Sequence, residues 1–346
     1  MHQLAFVEAL DEMCDLTWII EEENLDPSRT KMGWLASSSV GYKTIKNLKS
    51  SKKIISELED DVIHVFGGFS TTRALNNTLK YLIKNKARVF VQTESYNFTT
   101  LKGIFGILKF YFKRIFLRQF NVEGVFAMGK IGVVFFSKVF LNFKNVYPFA
   151  YFTGENKFSD SDQNNTFKII FVGQLIRRKG IDLLLKSLSQ IDRNYKLDII
   201  GNGVLQNELE NFVKSNNLSD SVKFLGSVNN EEVKSHIANS DLLILPSRFD
   251  GWGAVVNEAL MSGTPVITSK RCGSSVLVAN NRGLVVKSNS VKSLRNAISE
   301  QIEKGCVTNE LRNDIISWSK CLSGKSAAEY FIECIVNKKT IAPWLS

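Results

Sequence analysis

No apolar run in the 346-residue chain reaches the ~18 residues that a bilayer-spanning helix needs, which argues against a membrane span. The opening, MHQLAFVEALDEMCD, has acids early and no basic stretch leading into an apolar one, so it lacks the form of a secretory signal. Cysteine is sparse. Cys14, Cys272, Cys306, Cys321 and Cys334 show no C-x-x-C spacing, which removes the usual zinc and dithiol motifs and suits a reducing cytoplasm. In that compartment the Asn-x-Ser/Thr sequons at Asn76, Asn97, Asn164 and Asn217 carry little meaning. His2, His64 and His236 have no metal-ligand spacing, and His64, inside a strand pattern, reads as a core residue. Neither a C2H2 spacing nor an aromatic ribonucleoprotein strand occurs, so the formal charge of +10 does not point to nucleic acid. That charge suits an anionic lipid surface or an anionic sugar donor equally well.

What is present is enough for two ordinary domains, with 44% hydrophobic residues to build their cores. Residues 1–152 alternate helix and strand. The patterns predict a helix over His2–Leu10, a strand over Leu16–Ile20, a polar loop over Glu21–Ser39 turning at Pro27, and a helix over Tyr42–Leu58. Strand Val62–Phe66, helix Ser70–Asn85 and strand Ala87–Gln92 follow, then strands near Gly124–Ala127 and Val146–Pro148 around a helix at Lys130–Phe140. This alternation is that of a parallel sheet, whose ligands sit beyond the carboxyl ends of its strands. Glu94, just past one such end, is therefore a candidate catalytic carboxylate. Lys102–Phe120 carries Lys102, Lys109, Lys113, Arg114 and Arg118 among apolar residues and no acid. Such a stretch either lies on an anionic membrane surface or packs as an ordinary helix on its sheet.

The polar run Asn156–Asn165 reads as a linker to a second domain over 153–320, with 321–346 as a terminal helix and tail. The second domain opens with strand Lys168–Val172 and the loop Gly173-Gln174-Leu175-Ile176-Arg177-Arg178-Lys179-Gly180, in which Arg178 and Lys179 are placed to neutralise a diphosphate. Strand Lys196–Ile200 turns at Gly201-Asn202-Gly203, and strand Val222–Leu225 ends at Gly226-Ser227-Val228. Further on stands LLILPSRFDGWGAVVNEALMSGTPVIT, Leu242–Thr268: an apolar strand, a loop holding Asp250, Gly251, Trp252 and Gly253, and a short helix containing Glu258. Its two loop glycines allow a ligand close to the backbone, and the helix start favours an anion. The D-x7-E spacing can turn Asp250 and Glu258 toward one hydroxyl-rich, phosphate-bearing ligand, although a helix dipole alone also favours acids there.

The residues Pro246, Ser247, Asp250, Gly251, Gly253, Glu258, Ala259, Gly263, Pro265 and Val266 resemble the C-terminal signature of the family-4 retaining glycosyltransferases, glycosyl transferases group 1. Asp250 stands where that family more often has Glu, and Gln174 where it has Arg, so a phosphate contact would pass to Arg177 or Arg178. The resemblance implies a GT-B fold, two doubly wound α/β domains facing a central cleft, with the last helix crossing back and Trp344 burying its ring on the first domain. It implies transfer of a sugar from a nucleotide-diphosphate donor to a glycan or lipid-linked acceptor, with retention, without cofactor and without metal. Donor binding would fall to Gly173, Arg178, Lys179, Gly201, Gly203, Gly226, Val228, Asp250, Gly251, Trp252, Gly253 and Glu258. Asp250 would hold sugar hydroxyls, Glu258 ribose hydroxyls, Lys179 and Arg178 the leaving diphosphate, and Gly226 to Val228 the base. Asp160-Ser161-Asp162 looks like the D-x-D metal site of the other large glycosyltransferase fold, but in a flexible connector it lacks the rigidity such a site needs. The family's opening strand and Gly-rich loop have no counterpart before His2–Leu10 in the sequence given. A nucleotide-sugar 2-epimerase, and a degenerate non-catalytic GT-B subunit or glycan-binding module, are the alternatives.

Overall fold

The computed structural model describes residues 3–21, 41–59, 61–69, 72–98, 100–115, 122–139, 143, 145–152, 166–338 and 341–345. The loop expected over Glu21–Ser39, the linker Asn156–Asn165 and the Asp160–Asp162 acids lie largely or wholly outside them. The chain forms two compact units, one of Met1–Phe152 with Gly324–Ser346 and one of Thr153–Ser323.

In the first unit, α1 (Leu4–Asp11) precedes β1 (Trp18–Glu21), which pairs in parallel with β2 (Tyr42–Ile45). The helix expected over Tyr42–Leu58 is therefore two elements: β2, then α2 (Leu48–Ile55). Asn47 explains the break. Its backbone is extended and its side chain accepts from the N–H groups of Lys49 and Ser50, while the Ser50 hydroxyl answers to the Asn47 N–H, a capping box that starts the helix afresh. Next come β3 (Ile63–Phe66), α3 (Arg73–Lys84), β4 (Arg88–Thr93), α4 (Leu101–Ile115), β5 (Gly124–Met128), α5 (Gly129–Val134) running into a π-helical turn, and β6 (Val146–Phe149). Strands β3 to β6 make a parallel sheet in sequence order. Val89, Phe90 and Val91 are all buried, as is every residue of β5, because a sheet covered on both faces selects apolar runs rather than alternation.

The terminal helix, α12 (Gly324–Asn337), completes this unit. Phe331 meets Phe126 and Phe6 with ring centroids at 4.6 and 5.3 Å. Trp344 is 1% exposed and sits against Phe152, Phe149 and Tyr330, so the tail buries its ring on the first unit as the resemblance implies.

The second unit holds β7 (Phe167–Val172), α6 (Ile181–Leu188), β8 (Tyr195–Ile200), α7 (Gln206–Ser215), β9 (Val222–Gly226), α8 (Asn230–Ala238), β10 (Leu242–Leu245), α9 (Val255–Met261), β11 (Val266–Ser269), β12 (Gly283–Val286), α10 (Val291–Lys304) and α11 (Asn309–Ser319). Its six parallel strands run β12-β11-β10-β7-β8-β9. The chain thus winds outward from β7 in one direction, returns, and winds outward from β10 in the other. The gap between the loops that follow β7 and β10 is the switch point, where sheets of this kind bind ligands. Every residue of β10 and β11 is buried. The buried Arg312 guanidinium donates to the carbonyls of Ala238 and Ser240, satisfying the end of α8 and tying α11 to it.

Candidate functional site

The loops after β7 and β10 are built into one another. Gly180 has φ +75°, and a Cβ there would stand 2.3 Å from the Pro246 carbonyl oxygen, so only glycine lets the basic loop close on the start of the acidic one. The Arg248 N–H donates to the Arg178 carbonyl at 2.8 Å, and the Arg248 guanidinium donates to the Arg177 carbonyl at 2.6 Å. The same guanidinium grips Asp182, in the first turn of α6, through two bonds of 2.7 Å. Burial alone would raise the Asp182 carboxyl, but the bidentate Arg248 outweighs it and holds the group below its ordinary range.

This frame presents Lys179 and Arg178 to Asp250. The Lys179 ammonium donates to Asp250 Oδ2 at 2.5 Å, Arg178 lies 3.7 Å from Oδ1, and Arg178 also donates to the Phe249 carbonyl. Asp250 is nearly buried, its N–H donates to the Arg271 carbonyl, and Ser247 Oγ lies 3.4 Å from its carboxylate. The loop is stitched to the stretch after β11: the Gly273 and Ser274 N–H groups donate to the Asp250 and Trp252 carbonyls, and the Cys272 thiol to the Trp252 carbonyl. Burial pushes that thiol up to about 11, which makes it an inert packing group.

The expected site residues divide by what they offer. Gly173, Gly201 and Gly203 lie where the loops after β7 and β8 touch: a Cβ on Gly201 would stand 2.1 Å from the Gly173 carbonyl oxygen, and one on Gly203 2.4 Å from that of Leu175. Gly226 and Val228 close β9, where Asn202 donates to Ser227 Oγ at 2.9 Å. Trp252 is 0% exposed and its indole N–H donates to Asn257 Oδ1, so its ring is core, and Gly251 and Gly253 on either side of it are buried as well. Glu258, in α9, is raised by burial, with the Lys234 ammonium pulling the other way. Gln174 and Arg177 are exposed, and of the two arginines it is Arg178 that turns toward Asp250. Glu94 belongs to the first unit, just past β4, where its carboxylate accepts from the Tyr151 hydroxyl at 2.6 Å.

Sequence reasoning missed Asp182 and Arg248. Both sit beside recognised residues, but they meet only through the β7–β10 pairing, and nothing local announces the contact.

A parallel sheet that winds in both directions, with cations and a carboxylate at its switch point, is a Rossmann-like unit. Residues 153–320, nearly the whole of the second unit, match the family model for glycosyl transferases group 1. An uncharacterized glycosyltransferase of Methanocaldococcus jannaschii is 34% identical over 166 residues, covering 45% of this chain and 45% of that protein. A second one from the same organism is covered over 28% of its length, so the chain matches less than half of each. An uncharacterized 41.2 kDa protein in the cps region of Klebsiella pneumoniae is 29% identical over 70% of this chain and 67% of that protein. Among solved structures, Anabaena HepE in complex with UDP-glucose superposes with a TM-score of 0.71 at 15% identity, over 97% of this chain and 96% of that one. That likeness is one of fold: the chain has the two Rossmann-like units of GT-B glycosyltransferases.

Proposed function

We propose that this protein is a retaining glycosyltransferase that moves a sugar from a nucleotide-diphosphate donor on Thr153–Ser323 to a glycan or lipid-linked acceptor, in the synthesis of a cell-surface polysaccharide or lipopolysaccharide. The observation that carries this reading is the convergence of Lys179 and Arg178 on Asp250 at the switch point. In the free protein the cations are balanced by that carboxylate. A donor's diphosphate would take them over, and Asp250 would turn its lone pairs to sugar hydroxyls. As the bond to the sugar breaks, charge grows on the leaving phosphate, and two cations held by a rigid frame stabilise it without reorganising. Charge neutralisation is then met by side chains, which is the ground for proposing that no metal and no cofactor take part. Glu258 accepts from the ribose hydroxyls, and the backbone of Gly226 to Val228 lies along the base. Glu94, fixed by Tyr151, is assigned to the acceptor.

Similarity to an O-antigen biosynthesis glycosyltransferase of Escherichia coli, and to a GDP-mannose-dependent mannosyltransferase of Mycobacterium tuberculosis acting on a phosphatidylinositol monomannoside, supports a polysaccharide or glycolipid acceptor. The HepE complexes with UDP and UDP-glucose support a nucleotide sugar as donor. Retention rests on the resemblance to family-4 enzymes, and a cytoplasmic location on the composition. Among the described residues no helix is long and apolar enough to cross a membrane. Calorimetric titration with UDP, GDP, UDP-glucose and GDP-mannose in a chelating buffer tests the donor site. Binding of at least one nucleotide is expected. Strict dependence on magnesium or manganese would overturn the metal-free reading, and absence of any nucleotide binding would overturn the function.

A further inference from the structure

Helix α4 carries two apolar faces, one packed on the core of the first unit and one largely exposed. Its inner face is orthodox: Phe110 is 2% exposed, with its ring 4.9 Å from that of Phe69, and Ile107 packs beside it on the core of the first unit. The helix comes close there. A Cβ on Gly103 would overlap the Asn97 carbonyl, and one on Gly106 would touch the Tyr96 ring. The opposite face is apolar as well, yet it lies in solvent. Leu101 is 76% exposed, Phe105 68%, Leu108 57% and Ile104 44%. At about 100° per residue, Leu101, Phe105 and Leu108 form one stripe along the outer side of α4, with Ile104 along its border. Scattered exposed leucines are ordinary, but a continuous stripe of this length on one helix marks an interaction surface.

The charge beside the stripe names the occupant. Lys102 and Lys109, seven residues apart, run along one edge, and the sequence Leu101–Ile115 contains Lys113 and Arg114 and no acid at all. A protein partner's surface usually mixes signs, whereas an apolar wedge bordered by one sign of charge matches a layer that is apolar beneath and anionic on top. We infer that the outer face of α4 seats in the surface of an anionic lipid bilayer, with Leu101, Ile104, Phe105 and Leu108 among the acyl chains and Lys102 and Lys109 at the headgroups. The helix lies in the plane of the membrane and does not cross it. This surface would keep the first unit at the layer where a lipid-linked acceptor resides. The contact itself stands apart from the proposed reaction, since it needs neither donor nor acceptor.

Cosedimentation of the full chain with vesicles tests it, using phosphatidylglycerol-containing vesicles against pure phosphatidylcholine at low and high salt. Binding to the anionic vesicles is expected, falling as salt screens the lysines. Lys102→Gln and Lys109→Gln should each weaken it roughly five-fold at low salt. Phe105→Ser with Leu108→Ser should weaken it at least ten-fold at either salt, with an unchanged circular dichroism spectrum, because both side chains are already exposed. Three results would overturn the inference: no binding to anionic vesicles, binding that the apolar double variant leaves intact, or a parent dimer that the double variant splits while vesicle binding persists. Nucleotide affinity measured on the same variants separates the two proposals. If it is retained while vesicle binding is absent, this inference alone fails.

Discussion

Asp250 and Glu258 are both carboxylates of one motif, yet their surroundings differ in charge and burial. Asp250 is compensated by Lys179 and Arg178, whereas burial disfavours the Glu258 carboxylate and the Lys234 ammonium pulls the other way. Glu258→Gln should therefore cost roughly 1.5–3 kcal/mol of affinity for free nucleoside diphosphate, the loss of a charged hydrogen-bond acceptor. Asp250→Asn should spare that affinity and lower turnover instead, because the sugar is no longer held for transfer. Titration calorimetry beside a transfer assay separates the two, and equal loss of nucleotide affinity in both variants would falsify the division of roles. A pH effect follows for the free protein. The folded Glu258 carboxyl titrates above its ordinary value of 4.5, so the folded state takes up a proton there that the unfolded chain does not. Stability consequently falls as pH rises through that window, and Glu258→Gln should melt higher than the parent at pH 7 with the gap closing below pH 4.5. Asp182 has the reverse sign. Its lowered value contributes stability that is complete above 3.8 and disappears as pH drops below it, and Arg248→Ala should remove about 1.5–3 kcal/mol at neutral pH along with the acid-limb dependence.

At the scale of elements, Gly180 is the hinge on which the two loops of the site agree. Gly180→Ala forces either the left-handed φ on a residue with a Cβ or the basic loop away from Pro246, and a cost of about 1–3 kcal/mol with weakened nucleotide binding is expected in melting and calorimetry. How far such elements were legible depended on how local their causes are. The strands of the second unit read directly, because Ile169 to Phe171 and Leu242 to Leu245 are buried on both sides and must be apolar throughout. Strand β2 did not, since its first three residues are exposed and Tyr-Lys-Thr-Ile has no period to separate it from the helix behind it. Asn47, with Ser50 three residues on, was the signal that could have divided them. The motif glycines and acids of the site were visible for the same local reason. The pairing of Lys179 with Asp250, 71 residues apart, was not, because it exists only once β7 and β10 lie side by side. Trp252 reads as a ligand contact inside a loop motif, and what local sequence does not show is that its ring, fully buried and bonded to Asn257, anchors the loop.

For the whole molecule, the telling fact is that the first unit is written in two pieces. Trp344→Ala should destabilise it by about 3–5 kcal/mol, the range for emptying a buried aromatic site. Protease nicking should then appear within Met1–Phe152 while nucleotide affinity of the second unit persists. The same division sets a schedule during synthesis. Phe6, Phe126, Phe149 and Phe152 leave the ribosome early, but the rings that cover them, Phe331 and Trp344, arrive only after the whole of Thr153–Ser323 has been made. At roughly 5–20 residues per second that interval lasts on the order of 10–30 s, during which the second unit, contiguous in the chain, has time to fold while the first stands with an uncovered aromatic face. The nascent protein therefore holds a finished second unit before its first unit can close, and its dependence on chaperones should be concentrated in that interval.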